Sequence, residues 1–327
     1  MKILFCAQDI AGGQALLPLI SLPSIGPADE KMLVMAGKSK TLFEKPGVFK
    51  NFIDADTDKE LFIKVEQFSP DVIVTGTSFT MSIDKQMIEW GRKNDVPTLS
   101  IVDHWANYSQ RFEHQKYLPN IICVTDELMK EEMKKEGYNK EIIKVTGNPH
   151  LDNFCLPPAL EKNPVLFISQ AFTELEGLDT GYNELIVTKD LIDVFEDKIA
   201  PQKMIIRPHP RENIAKYAPF LNSAIVDTTS DVNDLISESK IIVGMSSNVL
   251  FKSFLSRKKV ISYQPGMIGE DQCILAKLNI KKTITTKKEL IKEINREKEF
   301  IDQKLIDKYT KNNSTEKVMS EVLKLTS

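Results

Sequence analysis

Short apolar runs recur along the whole chain, at residues 3–7, 31–36, 72–76, 98–102 and 121–124 in the first half and at 165–170, 204–207, 224–226, 241–244 and 259–263 in the second. Between them lie stretches with apolar residues at helical spacing, such as 59–68, 84–94 and 182–198. Runs that are apolar throughout, rather than alternately, need cover on both faces, and helices are what the intervening sequence offers. The chain is therefore expected to be an α/β protein, with parallel strands and helices on both faces of the sheet. Most runs end in small or polar residues, which puts candidate ligand groups at the carboxyl edge, where open α/β sheets bind.

A chain of 327 residues exceeds what one core usually supports, so two domains of about 150 residues each are expected. The turn formers Gly147-Asn148-Pro149, ahead of Asp152, mark the end of the first half. Pro157-Pro158 and the charged Glu161-Lys162-Asn163-Pro164 read as the linker, giving domains 1–158 and 159–327. From Lys287 the tail is helical and charge-rich, with Leu290, Ile291, Ile294, Phe300, Ile301, Leu305, Ile306, Val318, Val322 and Leu323 on apolar faces.

With 43 basic against 46 acidic side chains, the net charge of -3 gives no electrostatic basis for general nucleic-acid binding. The four cysteines, Cys6, Cys123, Cys155 and Cys273, lack C-x-x-C spacing, so buried reduced thiols are expected rather than a zinc or redox site. The opening strand is too short for a signal peptide, and no run approaches the roughly 18 apolar residues of a membrane span. A cytoplasmic protein is expected, with peripheral contact at the inner face of a membrane left open.

Two stretches in the second half carry the most chemistry. In Met204-Ile205-Ile206-Arg207-Pro208-His209-Pro210-Arg211-Glu212 a strand stops at two prolines, which hold Arg207 and His209 extended and fix the imidazole at a stiff strand end. In Ile241-Ile242-Val243-Gly244-Met245-Ser246-Ser247-Asn248 a strand meets a glycine, two hydroxyls and a new helix, a natural phosphate seat. The same residues also suit a plain helix cap. Together they predict a nucleotide-phosphate site.

Arg207-Pro208-His209-Pro210 followed by Gly244-Met245-Ser246-Ser247 resembles the "HP" and "SS" motifs of bacterial GT-B-fold glycosyltransferases, including the polysialyltransferase, capsular Kdo-transferase and CDP-glycerol glycerophosphotransferase groups. The resemblance implies two Rossmann-like doubly wound domains facing across a cleft. It further implies a metal-independent inverting transfer of a sugar or polyol phosphate from a CMP- or CDP-linked donor to a glycan or lipid-linked acceptor. Arg207, His209, Ser246, Ser247 and Asn248 would bind the donor phosphate, with Ser169 and Gln170 as further donor contacts by placement. Gln264 and Gly266 are weaker candidates, and the terminal helix is expected to return to the first domain.

In the first half, Gln8-Asp9-Ile10-Ala11-Gly12-Gly13-Gln14 reads as the turn into a helix starting near Ala15; it lacks the G-x-G-x-x-G dinucleotide spacing. By the same resemblance this glycine loop would face the acceptor, with Asp9 as the base that takes its proton and Asp103 or His104 as substitutes. Asp103-His104-Trp105-Ala106-Asn107-Tyr108, with Arg111 behind, suits a sugar, because rings stack on aromatics while hydroxyls need directional partners. It equally suits a helix cap with Trp105 and Tyr108 packed as an i, i+3 pair. No metal is expected, since Asp54-Ala55-Asp56 follows only a short apolar segment and reads as a solvated turn.

Two other readings stay open. A UDP-sugar 2-epimerase or nucleotide-sugar hydrolase shares the architecture, although such epimerases generally show an acidic pair where this chain reads Val249-Leu250-Phe251-Lys252. A catalytically silent nucleotide-sugar-binding protein is the third.

Overall fold

The computed structural model describes residues 1–23, 30–44, 52–157, 159–175, 177, 179–199, 203–296 and 302–327. The expectations for Pro158, Phe300 and Ile301 lie outside them. The chain divides into two compact units, Met1–Asn153 with Lys304–Ser327, and Phe154–Gln303, so the division falls ahead of residue 158.

In the first unit seven strands form one parallel sheet: β1 (Lys2–Ala7), β2 (Glu30–Met35), β3 (Ile53–Asp54), β4 (Val72–Thr75), β5 (Thr98–Ile101), β6 (Ile121–Val124) and β7 (Ile143–Val145), ordered β3-β2-β1-β4-β5-β6-β7. The apolar runs are explained by burial of alternate residues on opposite faces. Ile3, Phe5, Leu33, Val72 and Leu99 enter one core, and Leu4, Cys6, Val34 and Ile73 the other.

The helix Ser314–Thr326 buries Val318, Met319 and Val322 in the core of Ile3 and Phe5. Its seat is the Gly147-to-Asp152 passage. The Asp152 carboxylate accepts the Ser314 and Thr315 backbone N–H groups at 2.9 and 2.7 Å, where a helix start leaves donors unsatisfied. Gly147 has φ +86°, and a Cβ there would stand 2.1 Å from Asn312 Nδ2. A passage read as a boundary turn therefore also docks the end of the chain.

The second unit has five parallel strands: β8 (Asn163–Ile168), β9 (Met204–Arg207), β10 (Ala224–Val226), β11 (Ser239–Gly244) and β12 (Lys259–Ser262), ordered β10-β9-β8-β11-β12. Val187, Leu191 and Phe195 of the helix Glu184–Ile199 pack on Phe167, Ile206, Val243 and Ile261. In both sheets the strand order reverses beside the first strand of the unit, between β1 and β4 and between β8 and β11. Such switch points open a crevice at the carboxyl edge.

Several expectations are corrected. The first helix runs Ile10–Ser21, with Asp9 at its N-cap, so Gly12 and Gly13 sit inside it and are buried. A Cβ on Gly12 would lie 3.2 Å from Gly76 Cα, and one on Gly13 would lie 2.9 Å from Leu42 Cδ1. These glycines allow close helix packing rather than forming an open loop. Among the described residues the tail holds three helices, Lys287–Ile294, Gln303–Thr310 and Ser314–Thr326, and the terminal helix lies in the first unit, as expected. Cys155 is exposed while the other three thiols are buried. Among the described residues no helix is long and apolar enough to cross a membrane.

Candidate functional site

In the second unit the ends of β8, β9 and β11 lie side by side, because β8 is central and its neighbours are β9 and β11. Gln170, just past β8, crosses the switch point: its Oε1 accepts the Ser246 N–H at 2.8 Å and its Nε2 donates to Ser246 Oγ at 3.2 Å. On the other side, Ser169 Oγ donates to Glu212 Oε2 at 3.0 Å and contacts Tyr217 Oη at 2.6 Å. Glu212 Oε1 accepts the His209 backbone N–H at 2.5 Å. A continuous chain of contacts thus joins the His209 loop to the Ser246 turn along one edge. His209 and the two serines follow β9 and β11 and so fall on the same edge of the unit.

The orientation of His209 follows from local geometry. Its Nδ1 accepts the Arg211 N–H at 3.2 Å, so in the neutral ring the proton resides on Nε2, which then acts as a donor. Ser247 Oγ accepts the Val249 N–H at 3.2 Å, at the start of the helix Val249–Leu255. That helix has seven residues, and Asn248 at its N-cap makes no side-chain cap bond. So short a helix offers little dipole of its own at this edge.

Three expected donor contacts are engaged elsewhere. Arg207 Nη1 donates to Asp227 O at 3.0 Å and pairs with Asp227 Oδ1 at 3.5 Å, turned toward β10. Ser169 is buried, with its hydroxyl held between Glu212 and Tyr217. Gln264 is buried; its Oε1 accepts Tyr182 Oη at 2.7 Å and its Nε2 donates to Asp271 at 3.0 Å. Gly266 has φ +69°, and its carbonyl oxygen lies where a Cβ on Gly181 would stand, 2.2 Å from it. It serves a turn contact.

In the first unit the carboxyl edge gathers carboxylates. Asp103 pairs with Arg111 at 2.9 Å with only 9% of each side chain exposed, and Arg111 Nη1 also donates to Thr77 Oγ1 at 2.6 Å. Arg111 is thus spent on a buried pair rather than presented to an acceptor, and Asp103 is held in the same pair. Asp84, in the first turn of the helix Ile83–Lys93, accepts Ser78 Oγ at 2.5 Å on Oδ2, while its buried Oδ1 has no hydrogen-bond partner. Burial, with repulsion from Asp9 and Asp103, pushes its carboxyl up to about 7. Asp9 lies at the rim; partial burial and then the Asp103 charge raise its carboxyl above the usual range. A raised, accessible carboxylate is suited to proton abstraction.

The aromatic pair is not an exposed sugar platform. Trp105 is buried and donates Nε1–H to Asp126 at 2.9 Å; Tyr108 is buried and donates to Glu132 at 2.7 Å. Asp126 also accepts Tyr309 Oη at 3.1 Å, which ties the returning tail to the same cluster. His104 is half-buried beside them. Lys40 bridges Asp54 and Asp56 at 3.0 and 2.8 Å, so an ammonium occupies the place a metal would need in that D-x-D.

Sequence reading missed Glu212, Tyr217, Lys216 and Glu184 at the second edge and Asp84 at the first. Glu212 closes the very motif that named His209, but a charged residue next to a turn reads as solvated. Nothing local marks it as buried.

Two doubly wound α/β units with polar switch-point edges define the GT-B type of fold. Solved structures bear this out: the UDP-GlcNAc 2-epimerase of Neisseria meningitidis bound to UDP-GlcNAc matches with TM-score 0.68 at 13% identity, over 99% of this chain and 100% of that one. The UDP-GlcNAc 2-epimerase of Methanocaldococcus jannaschii matches with TM-score 0.71 at 11% identity, over 99% of both chains. Anabaena HepE in complex with UDP matches with TM-score 0.55 at 16% identity, over 100% of this chain and 97% of that one. No protein-family model matches the chain, and a search of curated proteins finds no significant match. The expected transferase acting on a CMP- or CDP-linked donor is overturned by these matches, which are to structures named as UDP-GlcNAc 2-epimerases. The likeness to the polysialyltransferase, Kdo-transferase and CDP-glycerol groups gains no support from them.

Proposed function

We propose that this protein is an enzyme acting on a UDP-linked 2-acetamido sugar, by reversible elimination of UDP across C1 and C2. The carrying observation is the joined polar edge His209, Glu212, Ser169, Gln170 and Ser246, in a fold whose solved relatives include UDP-GlcNAc and UDP complexes. Epimerisation at C2 needs the C2 proton removed, and that C–H is not acidic by itself. Removal becomes feasible only if its electron pair flows into a C1–C2 double bond as the C1–O bond to the β-phosphate breaks. The enzyme must therefore hold a diphosphate that gains charge and supply a carboxylate base.

His209 Nε2–H and the Ser246 and Ser247 hydroxyls are the proposed diphosphate donors. Returning the proton from the other face while UDP re-adds at C1 gives the 2-epimer; water adding at C1 instead gives the free sugar. The hydrolytic outcome is a specific second reading, favoured by Val249-Leu250-Phe251-Lys252 where the epimerases generally carry an acidic pair. Incubation with UDP-GlcNAc in D2O, followed by NMR, tests both. Deuterium at C2 of a UDP-linked epimer supports epimerisation, and free sugar plus UDP supports hydrolysis. Binding of UDP with neither product would leave only the silent binder.

A further inference from the structure

Lys216 lies in the 3-10 stretch Ile214–Phe220, with 12% of its side chain exposed. Its ammonium meets Glu174 and Glu212 at 3.0 Å each and also contacts Glu184. These carboxylates come from the loop after β8, the loop after β9 and the start of the helix Glu184–Ile199. Each holds backbone of a ligand-bearing loop. Glu184 accepts the Phe172 and Thr173 N–H groups at 3.2 Å each, Glu174 accepts Asn213 N–H at 3.0 Å, and Glu212 accepts His209 N–H at 2.5 Å. One cation is thus common to three carboxylates that fix four amides in the two loops carrying Gln170 and His209. Burial alone would push the ammonium down, but Glu184, Glu174 and Glu212 more than offset it and hold it above its ordinary value.

We propose that Lys216 is a positioning residue for the nucleotide-sugar site, acting through Glu212, Glu174 and Glu184 to set the His209 and Gln170 loops rather than by touching phosphate. The inference rests on the function proposed above for its ligand but not for its geometry. A lysine seven residues from His209 would ordinarily be read as a phosphate ligand; here its ammonium is already engaged by three carboxylates. Removing it would leave those carboxylates facing one another and drive the loops apart.

The test compares Lys216→Met, Lys216→Arg and the double variant Lys216→Met with Glu184→Gln, by UDP titration and by hydrogen exchange of single amides. In Lys216→Met, UDP affinity should fall roughly ten- to hundredfold, the scale expected when a site is displaced by about an ångström. The amides of Phe172, Thr173, His209 and Asn213 should lose protection while those of Ile206 and Val243 in the strands keep it. Arginine at 216, or the double variant, should restore part of both. Uniform loss of protection would reduce Lys216 to a stability role, and full affinity with unchanged amides would also overturn the proposal. Lost affinity with all four amides still protected would make Lys216 a direct ligand and overturn it as well. Should the native protein bind no UDP, the function reading fails, yet the four amides still decide the positioning role. If Lys216→Met does not fold, Lys216→Gln carries the same readouts, judged by the same outcomes.

Discussion

Gln170 Oε1 accepts the Ser246 N–H at 2.8 Å while Gln170 Nε2 donates to Ser246 Oγ at 3.2 Å. The two residues stand 76 positions apart in the chain and adjoin because β8 and β11 pair in the sheet. The amide fixes the Ser246 turn, on which the proposed phosphate site depends. Gln170→Leu should therefore weaken UDP binding by about 1–2 kcal/mol, the scale of a lost buried hydrogen bond with an orphaned partner, with little change in folding. Calorimetric titration checks it, and unchanged affinity would remove Gln170 from the site.

Asp84 should make stability fall as pH rises. Its folded carboxyl is pushed up to about 7, against an ordinary unfolded value of about 3.9. Between these values the folded chain keeps a proton that the unfolded chain has lost, so the contribution is full below about pH 4 and is lost by about pH 7, at up to about 1.4 kcal/mol per pH unit. Asp84→Asn cannot titrate, so it should gain on the native protein as pH rises, with the largest advantage near pH 8. Thermal melts from pH 4.5 to 8 read this directly. Parallel curves for the two proteins would refute it.

Gly76 and Gly12 meet back to back. A Cβ on Gly76 would lie 2.8 Å from Gly12 Cα, whereas one on Gly12 would lie 3.2 Å from Gly76 Cα. Gly76→Ala must move backbone and should cost about 1–3 kcal/mol. Gly12→Ala sits in a helix, where alanine is worth up to about 1 kcal/mol over glycine, and should be milder. Urea unfolding of both variants tests the order.

Breaking the Asp103–Arg111 pair, with both side chains 9% exposed, should be costly in either direction. Arg111→Met is expected to lose about 3–5 kcal/mol, because it strands a charge in a poorly hydrated place. Combining it with Asp103→Asn should recover part of that loss. A double variant no more stable than Arg111→Met would argue against a charge-driven effect.

We expect the proposed elimination to need no divalent ion. Turnover should survive dialysis against EDTA. Loss of activity that magnesium restores would place a metal in the reaction.

How much of this was legible differs between the fold and the site. Strands Ile3 to Ala7 and Ile241 to Gly244 were readable because burial on both faces requires apolar residues at every position, a demand that a sequence displays directly. His209, Ser246 and Asp9 were readable as polar groups following such strands. Their partners were not. Arg207 turning to Asp227, Trp105 donating to Asp126 and Ser169 closing on Glu212 and Tyr217 all depend on which strand lies beside which.

By itself the sequence determined the alternation of elements, and through it two parallel α/β units with polar groups at their carboxyl edges. Only the tertiary structure decided which polar groups are engaged with one another. Hydrogen bonds and ion pairs form between neighbours in space, and here those neighbours, such as Gln170 with Ser246 or Asp126 with Tyr309, are 76 and 183 residues apart.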